Sequence, residues 1–438
     1  MKSGKHLKGI HVDHCKNTAG TVIIPMTIPN KVAIAMSQCI GAPCTPTVKV
    51  GDHVLLGQLI GDSDAAMSVP VHSSVSGKVV SIEKRFNMAG KPDTFVVIEA
   101  DGRQDAAEDL VPPQINSRED FLKAVRNAGL VGLGGASFPT HIKYNPKNPD
   151  EIDTLVINGA ECEPYITVDH AVMVANAEDI IAGAKSIMKW LNIPKTIIGI
   201  ESNKPDAIAV MEELTKGDDS IKIHTLRNIY PQGAERVIIY ESTGRHLVAG
   251  KLPADVGVIV SNVTTVLKLQ QYLKTGLPLV TKSLTVDGNA VANPKNVEVP
   301  IGTSIHDIIE FCGGAKKDIR KILLGGPMMG KAAPNDEVCI SKGNNAVLVF
   351  DDDYAQRNKE TACISCGRCV RGCPMNLMPT VLSKAFKDKD IELLEEYNVM
   401  TCMDCGCCAY NCPARKPLNS EFRQAKALVM EARKKGGK

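Results

Sequence analysis

The 438-residue chain is predicted to be a multidomain protein. Its order is a small all-β sandwich or barrel, an α/β domain with a parallel sheet, a β-grasp module, and an α-helical domain built on two metal clusters. Three observations predict it. Short β-branched runs broken by turn pairs fill residues 1–110, apolar strands alternate with helices over 111–272, and a cysteine run occurs twice within 350–438. A chain of this length exceeds what one hydrophobic core supports.

In the first segment, Val48-Lys49-Val50 precedes Gly51-Asp52 and Val54-Leu55-Leu56 precedes Gly57-Gln58. Val75 to Val80 and Phe95 to Ile98 follow. Runs this short between Gly-Asp and Ser-Gly turns read as strands of a small barrel or sandwich. The order of Val50-Gly51-Asp52, Gly57-Gln58, Ser68-x-Pro70 and Ser76-Gly77-x-Val79 resembles the lipoyl or biotinyl carrier fold, a barrel-sandwich hybrid. Those carriers present a lysine between the two halves. No lysine lies between Gly57 and Gly77, so the domain is read as a scaffold. Cys15 beside His11 and His14, and Cys39 with Cys44, read as small packed hydrophobes in preference to metal ligands.

Ser117 is the expected N-cap of an amphipathic helix bearing Phe121, Leu122, Val125 and Leu130. Buried strands are expected at 154–158, 196–200 and 256–260, and helices at 169–191 and 205–214, the latter capped by Asn203. The glycine loop 129–139 follows a helix and has adjacent glycines, so it is not the dinucleotide fingerprint. Glycines nevertheless let backbone amides approach a phosphate or a flat ring. The loop is joined by two polar strand ends, Asn158-Gly159-Ala160-Glu161-Cys162-Glu163-Pro164 and Asn262-Val263-Thr264-Thr265. In such sheets ligands bind at strand C-termini.

Residues 273–336 read as the β-grasp module, with a hairpin around Asp287-Gly288, a helix from its cap Ser304 to Phe311 ended by Gly313-Gly314, and a strand at 322–324. A linker with one strand, 346–350, is expected next.

The cysteine run Cys363-x-x-Cys366-x-x-Cys369-x-x-x-Cys373-Pro374 recurs thirty-nine residues later as Cys402, Cys405, Cys408, Cys412 and Pro413. This is the spacing of bacterial two-cluster ferredoxins, where the fourth thiolate of each run ligates the other cluster. Cys363, Cys366, Cys369 and Cys412 are therefore assigned to one [4Fe-4S] cluster. Cys402, Cys405, Cys408 and Cys373 are assigned to the second. Structural zinc sites use paired knuckles without the third thiol and the Cys-Pro. Cys407 belongs to neither run and reads as a spare packed thiol. Helix is expected over 379–397 and over the tail 420–438.

Net charge is +2, which excludes an electrostatic nucleic-acid binder. The fifteen cysteines would suggest a disulfide framework only in a short secreted chain. The start, Met1 to His6, lacks an apolar signal segment, and no apolar run is long enough to span a bilayer. A chain in a reducing compartment is expected.

The whole chain resembles the RnfC family, the peripheral subunit of the membrane-bound Rnf ferredoxin:NAD oxidoreductase. The segments that carry the resemblance include GIHVDHCKNTA, GLVGLGGASFPTHIK, INGAECEPYITVD, YPQGAERVIIYESTGR, LPADVGVIVSNVTT, LLGGPMMG and the paired cysteine runs. The middle domain is also similar to the flavin subunit of respiratory complex I. The resemblance implies an FMN- and NADH-binding α/β domain and an SLBB-like β-grasp. It implies FMN held by Gly132, Gly134, Gly135, Lys143, Asn158, Glu161, Asn262 and Thr265. Phe138 and Glu163 would face the nicotinamide nucleotide, and Gln232 to Glu235 would complete the pocket. Cys39 stands where a histidine is expected in the family.

The implied activity passes electrons between NAD(H) and ferredoxin through FMN and two [4Fe-4S] clusters, coupled by membrane subunits to Na⁺ or H⁺ movement. No side chain is assigned a proton-transfer role. The implied partners are the membrane-embedded and ferredoxin-like Rnf subunits, with ferredoxin reached indirectly, on the cytoplasmic side of the membrane. The alternatives are a soluble paralogue such as a cobalamin reductase or proline reductase-associated protein, a flavin-free iron–sulfur adaptor, and a structural zinc protein.

Overall fold

Strands that are apolar along their whole length need cover on both faces, and this demand builds the centre of the molecule. The structure is a computed structural model that describes residues 6–87, 91–355 and 359–435. Met1 to Lys5 and the last three residues of the expected tail helix lie outside the described residues.

The central sheet has the order Ile221–Leu226, Lys195–Glu201, Thr154–Gly159, Val258–Asn262, all parallel. Leu155, Ile157, Ile198 and Ile200 fill one core with the helices Ala177–Leu191 and Val263–Thr275. Val156, Val258 and Val260 fill another with Ile238 and Ile239 of the helix Glu235–Thr243. Numbered along the chain, the spatial order is third, second, first, fourth. The order therefore reverses between Thr154–Gly159 and Val258–Asn262, the place where doubly wound sheets open a crevice.

Four details differ from expectation. Ile221–Leu226 was not foreseen as a strand; it is the sheet edge and alternates apolar with polar residues. The helix expected over 169–191 is two, Val168–Ala175 and Ala177–Leu191, parted at Asn176 where the backbone leaves the helical region. Helix Pro205–Leu214 follows Lys204 and not a capping Asn203, since Pro205 itself fits the first turn. The last strand begins at Val258, after a short 3-10 turn at Pro253–Val256 that Gly257 ends in the left-handed region.

The N-terminal sandwich pairs a four-stranded sheet with a three-stranded one. Val32, Ile34, Val54, Ile60, Val79, Val96 and Ile98 close its core.

The β-grasp sheet has six strands, in the order Ile23–Pro25, Lys295–Pro300, Thr281–Asp287, Ala346–Phe350, Lys321–Leu324, Lys331–Ala332. The strand expected within a linker, Ala346–Phe350, is therefore an inner strand of this sheet and buried throughout. The hairpin does not turn at Asp287-Gly288: its return strand is Lys295–Pro300. Gly288 serves close packing instead, because a Cβ there would lie 2.1 Å from the Val349 carbonyl oxygen. Ser304 caps Ile305–Phe311 as expected, accepting from the Asp307 amide at 3.0 Å.

In the C-terminal domain the sequence repeat is also a backbone repeat. Left-handed residues occur at Ser365 and Asp404, Gly367 and Gly406, and Asn376 and Arg415, each pair separated by the spacing of the cysteine runs. One-turn helices Arg368–Arg371 and Cys407–Tyr410 carry the third thiol of each run. The insertion is two helices, Pro379–Asp388 and Ile391–Glu396, split at left-handed Lys389. The tail helix Leu418–Lys435 packs Phe422, Ala425 and Val429 against them.

Candidate functional site

Each cysteine run winds tightly because left-handed residues bend it between thiols, which turns successive side chains inward. Three of the thiols have neighbours that accord with the crossed pattern. Burial raises Cys369, and the thiols of Cys412 and Cys366 add to the shift. Burial raises Cys408 most of all, followed by Cys405, Cys402 and Cys373. Burial likewise raises Cys373, which also feels Cys405. Cys412 thus lies near Cys369, and Cys373 near Cys405 and Cys408.

None of the eight forms a disulfide. Backbone amides point at two of them, Ser365 N at Cys363 Sγ and Leu377 N at Cys373 Sγ, both at 3.4 Å. Such bonds tune cluster potentials. Among the described residues, no three His, Cys, Asp or Glu side chains close on one point as a single ion requires. The ligands of an iron–sulfur cube sit on separate irons. Cys407 is buried beside Cys405.

At the sheet crevice, parallel register sets Asn262 beside Asn158. Asn262 Oδ1 accepts from the amides of Thr264 and Thr265 at 3.0 and 3.3 Å, capping Val263–Thr275. Its Nδ2 donates to Asp169 at 2.7 Å. Thr265 Oγ1 accepts from the Leu133 amide at 3.0 Å, which ties the glycine loop to this helix start. Gly134 lies against Asn262, with 3.3 Å from a Cβ position to Nδ2. Gly135 adopts φ +115° and faces open space. The loop folds back on itself through Gly132 N to Phe138 O at 2.8 Å. Asn158 donates to the Gly233 carbonyl at 2.8 Å. Lys143 and Glu235 pair at 3.1 Å across the mouth.

Gln232 is buried, and neither end of its amide has a partner. An unsatisfied buried amide is costly unless a ligand completes it. Together with the open glycine turn, whose backbone can approach a ligand closely, this buried amide fits a flat polar ring carrying a phosphate.

Glu161, expected at the flavin, and Glu163, expected to face the nicotinamide, turn elsewhere. The Glu161 carboxylate accepts from the amides of Asp169 and His170 at 2.5 and 3.2 Å, at the start of Val168–Ala175. The Glu163 carboxylate accepts from the amides of Met328 and Met329 at 3.0 and 2.9 Å, in the turn after strand Lys321–Leu324. Loss of solvent pushes each carboxyl up to about 7. Glu161 sits in the left-handed region (φ +49°), and that bend carries its side chain back onto the helix start.

Three residues near the site had no role assigned from the sequence. Lys16 Nζ donates to the carbonyls of Glu161, Glu163 and Ile166 at 2.9, 3.1 and 2.5 Å. Buried Lys342 donates to the carbonyls of Pro70 and Gly129, both at 2.8 Å, joining the sandwich to the glycine loop. Tyr230 lies two residues before Gln232, and its hydroxyl donates to the Cys405 carbonyl at 2.7 Å. Around that bond, Ile10, Val12, Cys162, Met328, Met403 and Cys407 pack together.

Family models match four stretches of the chain: the RnfC barrel sandwich hybrid domain over residues 5–103, the Nuo51 FMN-binding domain over 125–271, the SLBB domain over 283–332 and the 4Fe-4S dicluster domain over 362–416. The chain is 42% identical over 90% of its length, and 87% of the relative's, to the C subunit of the proton-translocating ferredoxin:NAD(+) oxidoreductase complex of Clostridium ljungdahlii. It is 41% identical, over 100% of its length and 99% of the relative's, to the C subunit of the Na(+)-translocating complex of Acetobacterium woodii. Among solved structures, an NAD+-reducing [NiFe]-hydrogenase shares the fold at TM-score 0.51 and 20% identity, over 72% of this chain and 63% of that one.

Proposed function

The chain belongs to the RnfC family of ion-translocating ferredoxin:NAD(+) oxidoreductase complexes, and from that premise we propose that it passes electrons between NAD(H) and ferredoxin. Its carriers are FMN and two [4Fe-4S] clusters, in the domains whose family models match. Membrane subunits would couple the transfer to Na⁺ or H⁺ translocation.

Bound FMN would accept an electron pair as hydride and release it singly, as iron–sulfur clusters require. Gly132, Gly134, Gly135, Asn158, Asn262, Thr265 and Gln232 would hold it, with Lys143 at the mouth and Phe138 toward the nicotinamide. Glu161 and Glu163 support this pocket from outside. The two crossed cysteine sets would hold the clusters.

The observation that carries the reading is that one turn serves both sites. The Gly233 carbonyl accepts from Asn158 at the crevice, and Tyr230 reaches Cys405. The Cys402-Cys405-Cys408-Cys373 cluster would therefore receive electrons first.

The other cluster lies toward solvent. Cys363 is exposed, Ile364 is 68% exposed, and Lys359, Arg368, Arg371 and Arg415 around them are exposed with no ion pair among the described residues. This basic corner would meet an acidic ferredoxin-like subunit of the complex. No helix among the described residues is long and apolar enough to cross a membrane, so attachment on the cytoplasmic side would be peripheral.

Anaerobic purification with iron, sulfide and FMN quantified, followed by NADH-driven bleaching, tests the proposal. Lys143→Ala should weaken FMN retention and leave iron intact. Full iron with no flavin uptake by the wild type would instead favour the adaptor reading.

A further inference from the structure

The segment between the crevice and the nearer cluster, residues 160–166, is an awkward piece of backbone. Glu161 and Tyr165 both adopt left-handed φ, +49° and +70°, which residues with a side chain rarely do. Such geometry persists only where the surroundings enforce it. Here they do so from several sides. Lys204 donates to the Ala160 carbonyl at 2.9 Å and is itself paired with Glu201. The amide of Tyr165 donates to the carbonyl of His14 at 2.9 Å.

The strongest hold is Lys16. An ammonium has three donors and no acceptor, and here three carbonyls of one turn converge on it. Lys16 reaches the turn from the N-terminal segment, far from it in sequence. That segment is anchored on both sides. Ile10 pairs with Tyr230 through backbone bonds of 2.8 and 2.9 Å, and Thr18 Oγ1 bonds Thr167 Oγ1 at 2.5 Å.

The turn touches both halves of the electron path. Cys162 accepts from the Gly233 amide at 3.3 Å and packs beside Cys405 and Cys407. The Glu163 carboxylate holds Met328, whose carbonyl lies against Gly406 between two cluster cysteines. Moving this turn would alter the spacing between crevice and cluster without touching the cysteines.

We infer that Lys16 is a positioning residue, whose triple contact with the 161–166 turn sets the spacing between the flavin crevice and the Cys402-Cys405-Cys408-Cys373 cluster. This rests on the electron-transfer reading above. Electron transfer between carriers falls exponentially with their separation, whereas hydride uptake by the flavin does not depend on that separation, so the effect belongs to the step between carriers and not to hydride uptake.

The test is single-turnover mixing of the reconstituted full chain with NADH, following flavin and cluster bleaching separately. Lys16→Met keeps the stem and removes the donors. Iron, sulfide and FMN contents and the flavin phase should stay at wild-type values, while the cluster phase slows several-fold. Lys16→Arg keeps the charge, but its planar fork cannot send three donors from one atom to three converging carbonyls, so it should show the same split to a smaller degree. If K16M loses iron or flavin, K16R decides alone. Wild-type cluster kinetics in the deciding variant, or both phases slowing equally, would overturn the inference. A wild-type protein that takes up no FMN would overturn the underlying reading before any variant is compared.

Discussion

Tyr230 donates its phenolic proton to the backbone carbonyl of Cys405 at 2.7 Å, and this one bond crosses from the crevice domain to the cluster domain. Both residues are buried. Tyr230→Phe would leave that carbonyl without its side-chain donor in a site closed to water. A destabilisation of about 1–3 kcal/mol is expected. It should appear as earlier loss of visible absorbance on heating, with iron content unchanged at room temperature.

The crossed ligation makes a pairwise prediction. Cys373→Ser and Cys402→Ser should remove the same reduced-state EPR signal, and Cys412→Ser and Cys363→Ser the other. Each variant should retain about half the iron, on the order of four atoms per chain. If Cys373→Ser instead matched Cys363→Ser, each run would hold its own cluster.

Glu163 gives a pH prediction. Burial raises its carboxyl from the usual 4.5 to about 7, so the folded state holds the proton more tightly than the unfolded chain. Its contribution to stability is complete below pH about 4.5 and is lost as pH rises through about 7. The amount is about 3 kcal/mol. Glu163→Gln should flatten the dependence of the denaturation midpoint over that window. Glu161 shifts in the same direction, so part of the slope should remain.

Gly326 packs against that same carboxylate. A Cβ at residue 326 would lie 2.1 Å from Glu163 Oε2 and 2.4 Å from Cδ. Gly326→Ala should displace the carboxylate from Met328 and Met329 at a cost of about 1–3 kcal/mol. The denaturation midpoint reads the loss directly.

The basic corner predicts a salt effect. Arg368→Glu with Arg371→Glu should slow electron delivery to an acidic two-cluster ferredoxin at least about tenfold at low salt, and flatten its dependence on ionic strength. NADH-driven bleaching within the chain should be unchanged. An unaltered delivery rate would place the exit elsewhere.

What could be read before folding depended on whether the signal was local. The cysteine runs are dictated by ligand chemistry, so their spacing alone announced them. Strands such as Thr154–Gly159 show as apolar blocks, and Ser117 and Ser304 form their expected caps because a cap involves residues three apart. Ile221–Leu226 was illegible because an edge strand keeps polar residues on its open side. Ala346–Phe350 lies between Thr281–Asp287 and Lys321–Leu324, and nothing in its own residues names those neighbours. At the site, residue types were legible but side-chain directions were not. Glu161 and Glu163 lie where a flavin ligand and a nicotinamide contact were expected, yet backbone bends and amides from distant segments decide where they point. Lys16 and Tyr230 act on groups more than a hundred residues away in sequence, beyond the reach of any pattern.

The strand Ile23–Pro25 has a consequence for how the molecule is made. Its partner, Asn296 to Glu298, leaves the ribosome about 270 residues later. At about 5–20 residues per second this is a delay on the order of tens of seconds. The opening of the chain must therefore stay loose during most of translation. The strand Ile23–Pro25 can find its place only after the modules between it and its partner have been synthesised.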